Sequence, residues 1–176
     1  MSYEVLESNL MYKGKVLEVY SDKVVMPNGN VATRETVVRG SAAAIVPVDK
    51  DGNIIFVRQY RHAIKGMALE IPAGMLEEGE DPAISAKREL EEETGWIANN
   101  LTYVTKLVMS IGVCTETLYI YIAKDLTEGV MNPDPDEFIE IETYSLEDSL
   151  KMIYSGEIID GKTAAALLAY KDLSGK

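Results

Sequence analysis

Apolar positions in the first forty residues fall in short β-branched runs rather than at helical spacing. They predict extended segments over residues 15–20, 22–26 and 31–38, with Pro27-Asn28-Gly29 as a hairpin turn before the last. Residues 42–48 and 54–60 are near-continuous apolar runs flanking Asp51-Gly52, a second hairpin signal, and 68–71 is a short strand ended by Pro72 and Gly74. From Pro82 to Thr94 the period becomes helical. Asp81 can cap the first turn, Pro82 suits the first helical position, and Gly95 suits a left-handed stop. Strand character returns over 101–109 and 117–123. It returns again over 138–144, after the acidic, proline-rich loop Asn132-Pro133-Asp134-Pro135-Asp136-Glu137. Ser145, with Asp148 three positions on, opens one more helix, and Asp160 caps a last one through residues 164–173. The order of strands, one helix, strands and helices predicts a mixed α/β (α+β) domain of mainly antiparallel character, with no internal repeat.

Composition narrows the classes. A chain of 176 residues, 47% hydrophobic and 26% charged, fits one core with a small appendage and argues against wholesale disorder. Cys114 and His62 are the only residues of their kinds, which excludes a disulfide framework, cysteine-rich zinc sites and multi-histidine sites. The longest apolar run, 42–48, is too short to cross a bilayer, and Met-Ser-Tyr-Glu at the start has no secretory character. The expectation is a soluble, cytoplasmic protein that binds no membrane. With 17 Lys and Arg against 29 Asp and Glu, the net charge of −12 is the opposite of what a nucleic-acid binder needs. Half of that negative excess lies in residues 74–96.

On a helix, Glu89, Glu92 and Glu93 share an arc of about 100°, beside an apolar stripe of Ala83, Ala86 and Leu90, while Lys87 and Glu91 fall on the far side. Like charges at this spacing repel. Arg88 can offset one of them, and the rest suit a hard cation such as Mg²⁺ or Mn²⁺. A solvated acidic face is the alternative, and the helix alone does not choose between them.

The surrounding residues resemble a known motif. Gly74, five residues, Glu80, seven residues, then Arg88-Glu89-Leu90-Glu91-Glu92-Glu93-Thr94-Gly95-Trp96 fill all nine specified positions of the Nudix box. Leu69-Glu70-Ile71-Pro72-Ala73-Gly74, Val57-Arg58-Gln59-Tyr60-Arg61 and Asp160-Gly161-Lys162-Thr163 are similar to the corresponding segments of the ADP-ribose pyrophosphatase and nucleotide-sugar hydrolase branch. The resemblance implies a Nudix-type α/β/α sandwich with a mixed sheet over 41–176, preceded by an N-terminal antiparallel β-hairpin region over 1–40. It also implies a homodimer that exchanges N-terminal strands. The implied activity is Mg²⁺-dependent (or Mn²⁺-dependent) cleavage of the pyrophosphate bond of a nucleoside diphosphate-linked small molecule.

Carried over by position, the resemblance makes Glu89 and Glu93 the principal metal ligands, with Glu92 and the Ala73 carbonyl completing the site. Glu80 supports the loop and Arg88 orients the carboxylates. Arg61 matches an arginine that contacts the diphosphate, Glu70 a substrate-contacting acid, and Arg58 lies on the same substrate-facing strand. The base is expected from the acidic loop, with Glu137 the best match and Glu116 its rival. Ser110-Ile111-Gly112 departs from the Ser-Pro-Gly usual in ADP-ribose hydrolases. Ile111 therefore keeps open a nucleoside triphosphate or dinucleoside polyphosphate as substrate, and a non-catalytic nucleotide-sensing domain is a third reading.

Gly156-x4-Gly161-Lys162-Thr163 formally fits a P-loop, but it follows an amphipathic helix rather than a buried strand and carries Glu157 and Asp160 beside the would-be phosphates. His62 reads as a surface contact, Cys114 as an ordinary buried thiol, and Tyr12 and Tyr20 as strand packing or, by resemblance, base-stacking groups.

Overall fold

The structure, a computed structural model, describes residues 1–175. In chain order the elements are β1 (Glu4–Lys13), β2 (Glu18–Val25), β3 (Val31–Val38), β4 (Ala42–Pro47), β5 (Ile54–Arg61), β6 (Gly66–Glu70), β7 (Ala73–Met75), α1 (Pro82–Thr94), β8 (Trp96–Val108), β9 (Thr117–Glu128), β10 (Glu140–Tyr144), α2 (Leu146–Ser155) and α3 (Gly161–Ser174). They form two compact units, residues 1–41 with 107–117, and residues 42–106 with 118–175.

In the first unit β1, β2 and β3 make an antiparallel sheet, with Gly29 at φ 83° in the turn that joins the last two. The 107–117 segment is laced to the end of this sheet: Val37 N–H donates to the Val113 carbonyl (2.7 Å) and Thr115 N–H to the Val37 carbonyl (3.0 Å). Every residue of β1 is exposed, including Leu6, Leu10, Met11 and Tyr12. A strand wet on both faces has little apolar alternation, which is why the sequence pattern missed it.

The second unit is built on β4, buried along its whole length. A strand covered on both faces is apolar throughout rather than alternating. It pairs antiparallel with β7 and parallel with β9, giving a four-stranded mixed sheet in the order β7-β4-β9-β8. A second sheet, β10-β5-β6, is antiparallel. Both α1 and α3 pack on β4. Ala43 and Ile45 join Ala86 and Leu90 of α1, with Ala98, Tyr121 and Ala123, in one apolar cluster.

The Asp51-Gly52 hairpin is corrected. Gly52 does reverse the chain at φ 85°, closed by Asp49 N–H on the Asn53 carbonyl (2.9 Å) and a bridge between Val48 and Ile54, but β4 and β5 belong to different sheets. Residues 15–20 and 22–26 are likewise not two strands, because β2 runs unbroken from Glu18. Among the described residues no helix is long and apolar enough to span a membrane.

Candidate active site

The helix that carries the acids has the predicted boundaries. The Asp81 side chain accepts from Ala83 N–H (2.8 Å), Pro82 follows, and Gly95 stops the helix at φ 72° with its N–H on the Glu91 carbonyl (2.7 Å). Ala86 and Leu90 are buried, Lys87 is exposed, and Glu91 is half-buried. The apolar stripe thus draws the neighbouring carboxylates under the surface: Glu93 is buried, Glu89 half-buried, and Glu92 more open at 39% side-chain exposure.

Above them runs the chain from Pro72 to Met75. Ala73 N–H donates to Glu93 Oε2 (2.9 Å). A Cβ built on Gly74 would stand 2.0 Å from the Glu89 carboxyl carbon, so a larger residue there would displace that carboxylate. Arg88 ties the rest together. Its Nε and Nη2 donate to the two oxygens of Glu80 (3.0 Å each), and its Nη1 donates to both Glu89 (2.7 Å) and Glu92 (2.9 Å). The Arg88 guanidinium holds the Glu80 carboxyl down to about 2, and the Glu77 N–H adds a bond to it, so Glu80 braces the loop.

Glu89 and Glu93 behave differently. Burial pushes Glu89 up to about 7; Arg88 opposes this, while Glu92 and Glu137 reinforce it. Burial pushes Glu93 up to about 8 against the Ala73 N–H, with Glu89 and Glu137 adding repulsion. A buried and a half-buried carboxyl short of positive charge, with a third beside them, are what a divalent cation relieves. Among the described residues no three acidic, histidine or cysteine side chains are already gathered as a cage. The donor set fits a hard cation nonetheless, because among the described residues Arg88 is the cation paired directly with these acids, and Glu93 accepts from the neutral Ala73 N–H.

Arg61 and Glu70 form a bidentate pair, Nε to Oε1 2.7 Å and Nη2 to Oε2 2.9 Å. The Glu70 side chain, expected to touch substrate, is 4% exposed, and both its oxygens are taken by Arg61, one of them also by Lys162. Burial disfavours its charge, but Arg61 and Lys162 overcome this and hold it down to about 2. Arg61 itself remains 41% exposed and feels the charge of Glu93. Arg58 pairs with Glu142 and reaches Glu157 (3.5 Å), which ties β5 to β10 and to the start of the α2–α3 turn.

Glu137 sits in the acidic loop, its N–H on the Asp134 carbonyl (2.9 Å) and its carboxylate accepting from Asp134 N–H (3.3 Å). It contributes to raising both Glu89 and Glu93, so it shares their field. The root of the loop is docked on α1, through Gly129 N–H to the Gly95 carbonyl (2.7 Å) and Asn132 N–H to the Glu92 carbonyl (2.9 Å). A cavity of about 410 Å³ opens beside Glu137, lined by Tyr60, Met67, Met131, Pro133 and Phe138. Glu116 belongs to the first unit and pairs there with Arg39 (3.4 Å). Cys114 is half-buried rather than buried, Ile111 is exposed, and His62 is exposed. In the sequence Lys162 stands out only as part of Asp160-Gly161-Lys162-Thr163, a segment shared by resemblance and a formal P-loop fit, with no role of its own. The signal pointing to its partner is that a buried Glu70 facing one arginine would still want a second cation.

Residues 38–166 match the NUDIX domain family. This chain is a member of the Nudix family. It is 42% identical over 159 residues to an ADP-ribose pyrophosphatase of Bacillus subtilis (strain 168), covering 89% of this chain and 86% of that one. It is 34% identical over 166 residues to a methanol dehydrogenase activator of Bacillus methanolicus, covering 93% and 90%. A crystal structure of an ADP compounds hydrolase superposes with a TM-score of 0.90 at 24% identity, over 98% of this chain and 94% of that one, and so shares the fold. Nudix hydrolases generally use divalent metal ions, which agrees with the charge shortfall around Glu89 and Glu93.

Proposed function

We propose that this Nudix protein hydrolyses the pyrophosphate bond of ADP-ribose or a related nucleoside diphosphate sugar, giving a nucleoside monophosphate and a sugar phosphate. The observation that carries the reading is the pair of half-buried and buried box carboxylates, Glu89 and Glu93, with raised affinity for protons and Arg61 within their field. The 42% identity to an ADP-ribose pyrophosphatase supports the substrate class.

In this reading Glu89, Glu93, Glu92 and the Ala73 carbonyl would hold Mg²⁺. When bound, the ion supplies charge neutralisation to the diphosphate and acidifies the attacking water. Arg88 keeps Glu89 and Glu92 oriented. The outward N–H groups of Arg61 take the non-bridging phosphate oxygens. Glu137 removes the proton of the water as its oxygen bonds to phosphorus and the bridging P–O bond breaks. The proton then passes to the departing phosphate, so one water is consumed. The cavity beside Glu137 receives one of the two groups joined by the diphosphate. The protein works as a homodimer through the 1–40 region, supported by the exposed apolar side chains of β1.

The test is a panel of nucleoside diphosphate derivatives with Mg²⁺, reading released AMP, GMP or UMP by chromatography. AMP from ADP-ribose is expected. Turnover of nucleoside triphosphates with no cleavage of any diphosphate sugar would overturn the reading.

A further inference from the structure

The Gly161-Lys162-Thr163 segment, unusable as a phosphate loop, is built into the support of Arg61. Asp160 caps α3 and takes, on one oxygen, the Thr163 N–H (3.0 Å), the Thr163 hydroxyl and the Lys162 ammonium (2.9 Å). The fully buried Thr163 hydroxyl in turn accepts from Ile71 N–H (2.9 Å), the residue after Glu70. Lys162 Nζ therefore stands between two carboxylates, Asp160 and Glu70, with its side chain 14% exposed. Its backbone is placed by the α3 cap and by the bond from Ile71 to the neighbouring Thr163, and its ammonium is held by both carboxylates.

Two carboxylates, Glu70 and Asp160, face two cations, Arg61 and Lys162, and the set is neutral. Arg61 spends only Nε and one Nη2 hydrogen on Glu70, and among the described residues Nη1 has no hydrogen-bond partner. Without Lys162 the set carries a net negative charge, and buried Glu70 must draw its compensation from Arg61 alone. Arg61 would then have less charge to offer and Glu70 more freedom to rotate.

We propose that Lys162 is a positioning residue for Arg61: by sharing Glu70 with it and anchoring on Asp160, it locks the bidentate pair so that the free N–H groups of Arg61 stay aimed at the diphosphate. This rests on the reading that Arg61 meets the diphosphate.

Steady-state kinetics with ADP-ribose and Mg²⁺ tests both layers. Lys162→Met should raise KM about tenfold with kcat changed less than about threefold, and Lys162→Arg should restore most of the loss. In an Arg61→Ala background the Lys162→Met change should add less than about twofold, because the lysine acts through the arginine. Lys162→Gln gives the same comparison if methionine at this site prevents folding, as read by a thermal melt. An unchanged KM in every Lys162 variant beside a raised KM in Arg61→Ala overturns the role of Lys162 alone. An equal loss with and without Arg61 does so too. An unchanged KM in Arg61→Ala would instead refute the reading of Arg61 beneath it.

Discussion

The carboxyl carbon of Glu89 lies 2.0 Å from the point where a side chain on Gly74 would begin. The opening glycine of the box thus leaves the space that the Glu89 carboxylate occupies. Gly74→Ala must push the Glu89 carboxylate away from the cluster. Mg²⁺ affinity, followed by titration calorimetry, should fall at least about tenfold, while the far-UV spectrum stays unchanged. Wild-type affinity in this variant would remove Glu89 from the ligand set.

Glu89 and Glu93 are raised to about 7 and about 8 from an ordinary 4.5, so the folded chain without metal binds more protons than the unfolded chain across that interval. Their protonation stabilises the fold fully below about 4.5, and this contribution is lost as pH rises through 7 and 8. Glu70 and Glu80, held down to about 2, act oppositely and cost stability only as pH falls below their unfolded range. The metal-free melting temperature should therefore peak near pH 5 and fall toward pH 9. Mg²⁺ should reduce that fall, and its binding at pH 7 should release roughly one proton, measurable by calorimetry in buffers of different ionisation enthalpy.

Glu93→Gln keeps the size and loses the charge. Activity should drop by at least about a hundredfold, and the alkaline loss of metal-free stability should shrink, because an amide imitates the protonated acid. Near wild-type turnover at saturating Mg²⁺, or a melting temperature below wild type at pH 9, would contradict these roles.

For the base, Glu137→Gln should lower kcat by two to four powers of ten with a much smaller change in KM. Glu116→Gln is the comparison, since Glu116 is paired with Arg39 in the other unit. The reverse outcome would move the base to the segment after Met109. Inactivity of neither variant would leave proton removal to the box carboxylates.

Dimerisation is expected to depend on the exposed apolar residues of β1. Replacing Leu6 and Leu10 by Lys should give a monomer in light scattering at micromolar concentration. A persisting dimer would place the interface elsewhere.

What could be read from the chain followed the range of each interaction. Asp81, Pro82 and Gly95 bound α1 by contacts within a few residues, and the arc shared by Glu89, Glu92 and Glu93 follows from helical period alone, so all of these were legible. Gly52 marked a reversal correctly, but turn chemistry says nothing about which sheet the next strand joins. Arg58 and Glu142 stand 84 residues apart and Glu70 and Lys162 stand 92 apart, and no local pattern announces such partners. The burial of Glu70 is not legible locally, because its partner Lys162 lies at the start of α3, 92 residues on.

The two backbone bonds from Gly129 and Asn132 to the end of α1 set a tether. Five residues carry the chain from Asn132 to Glu137, a span of at most about 17 Å even when fully drawn out, and Pro133 and Pro135 stiffen it. The far end is pinned at Glu140, which pairs with Arg58 in the sheet. Glu137 therefore moves as a point on a short arch whose one foot stands on the carboxylate helix itself. The helix that carries Glu89, Glu92 and Glu93 also fixes the radius within which Glu137 can travel, and lengthening that arch by even a few residues would separate the two without touching either.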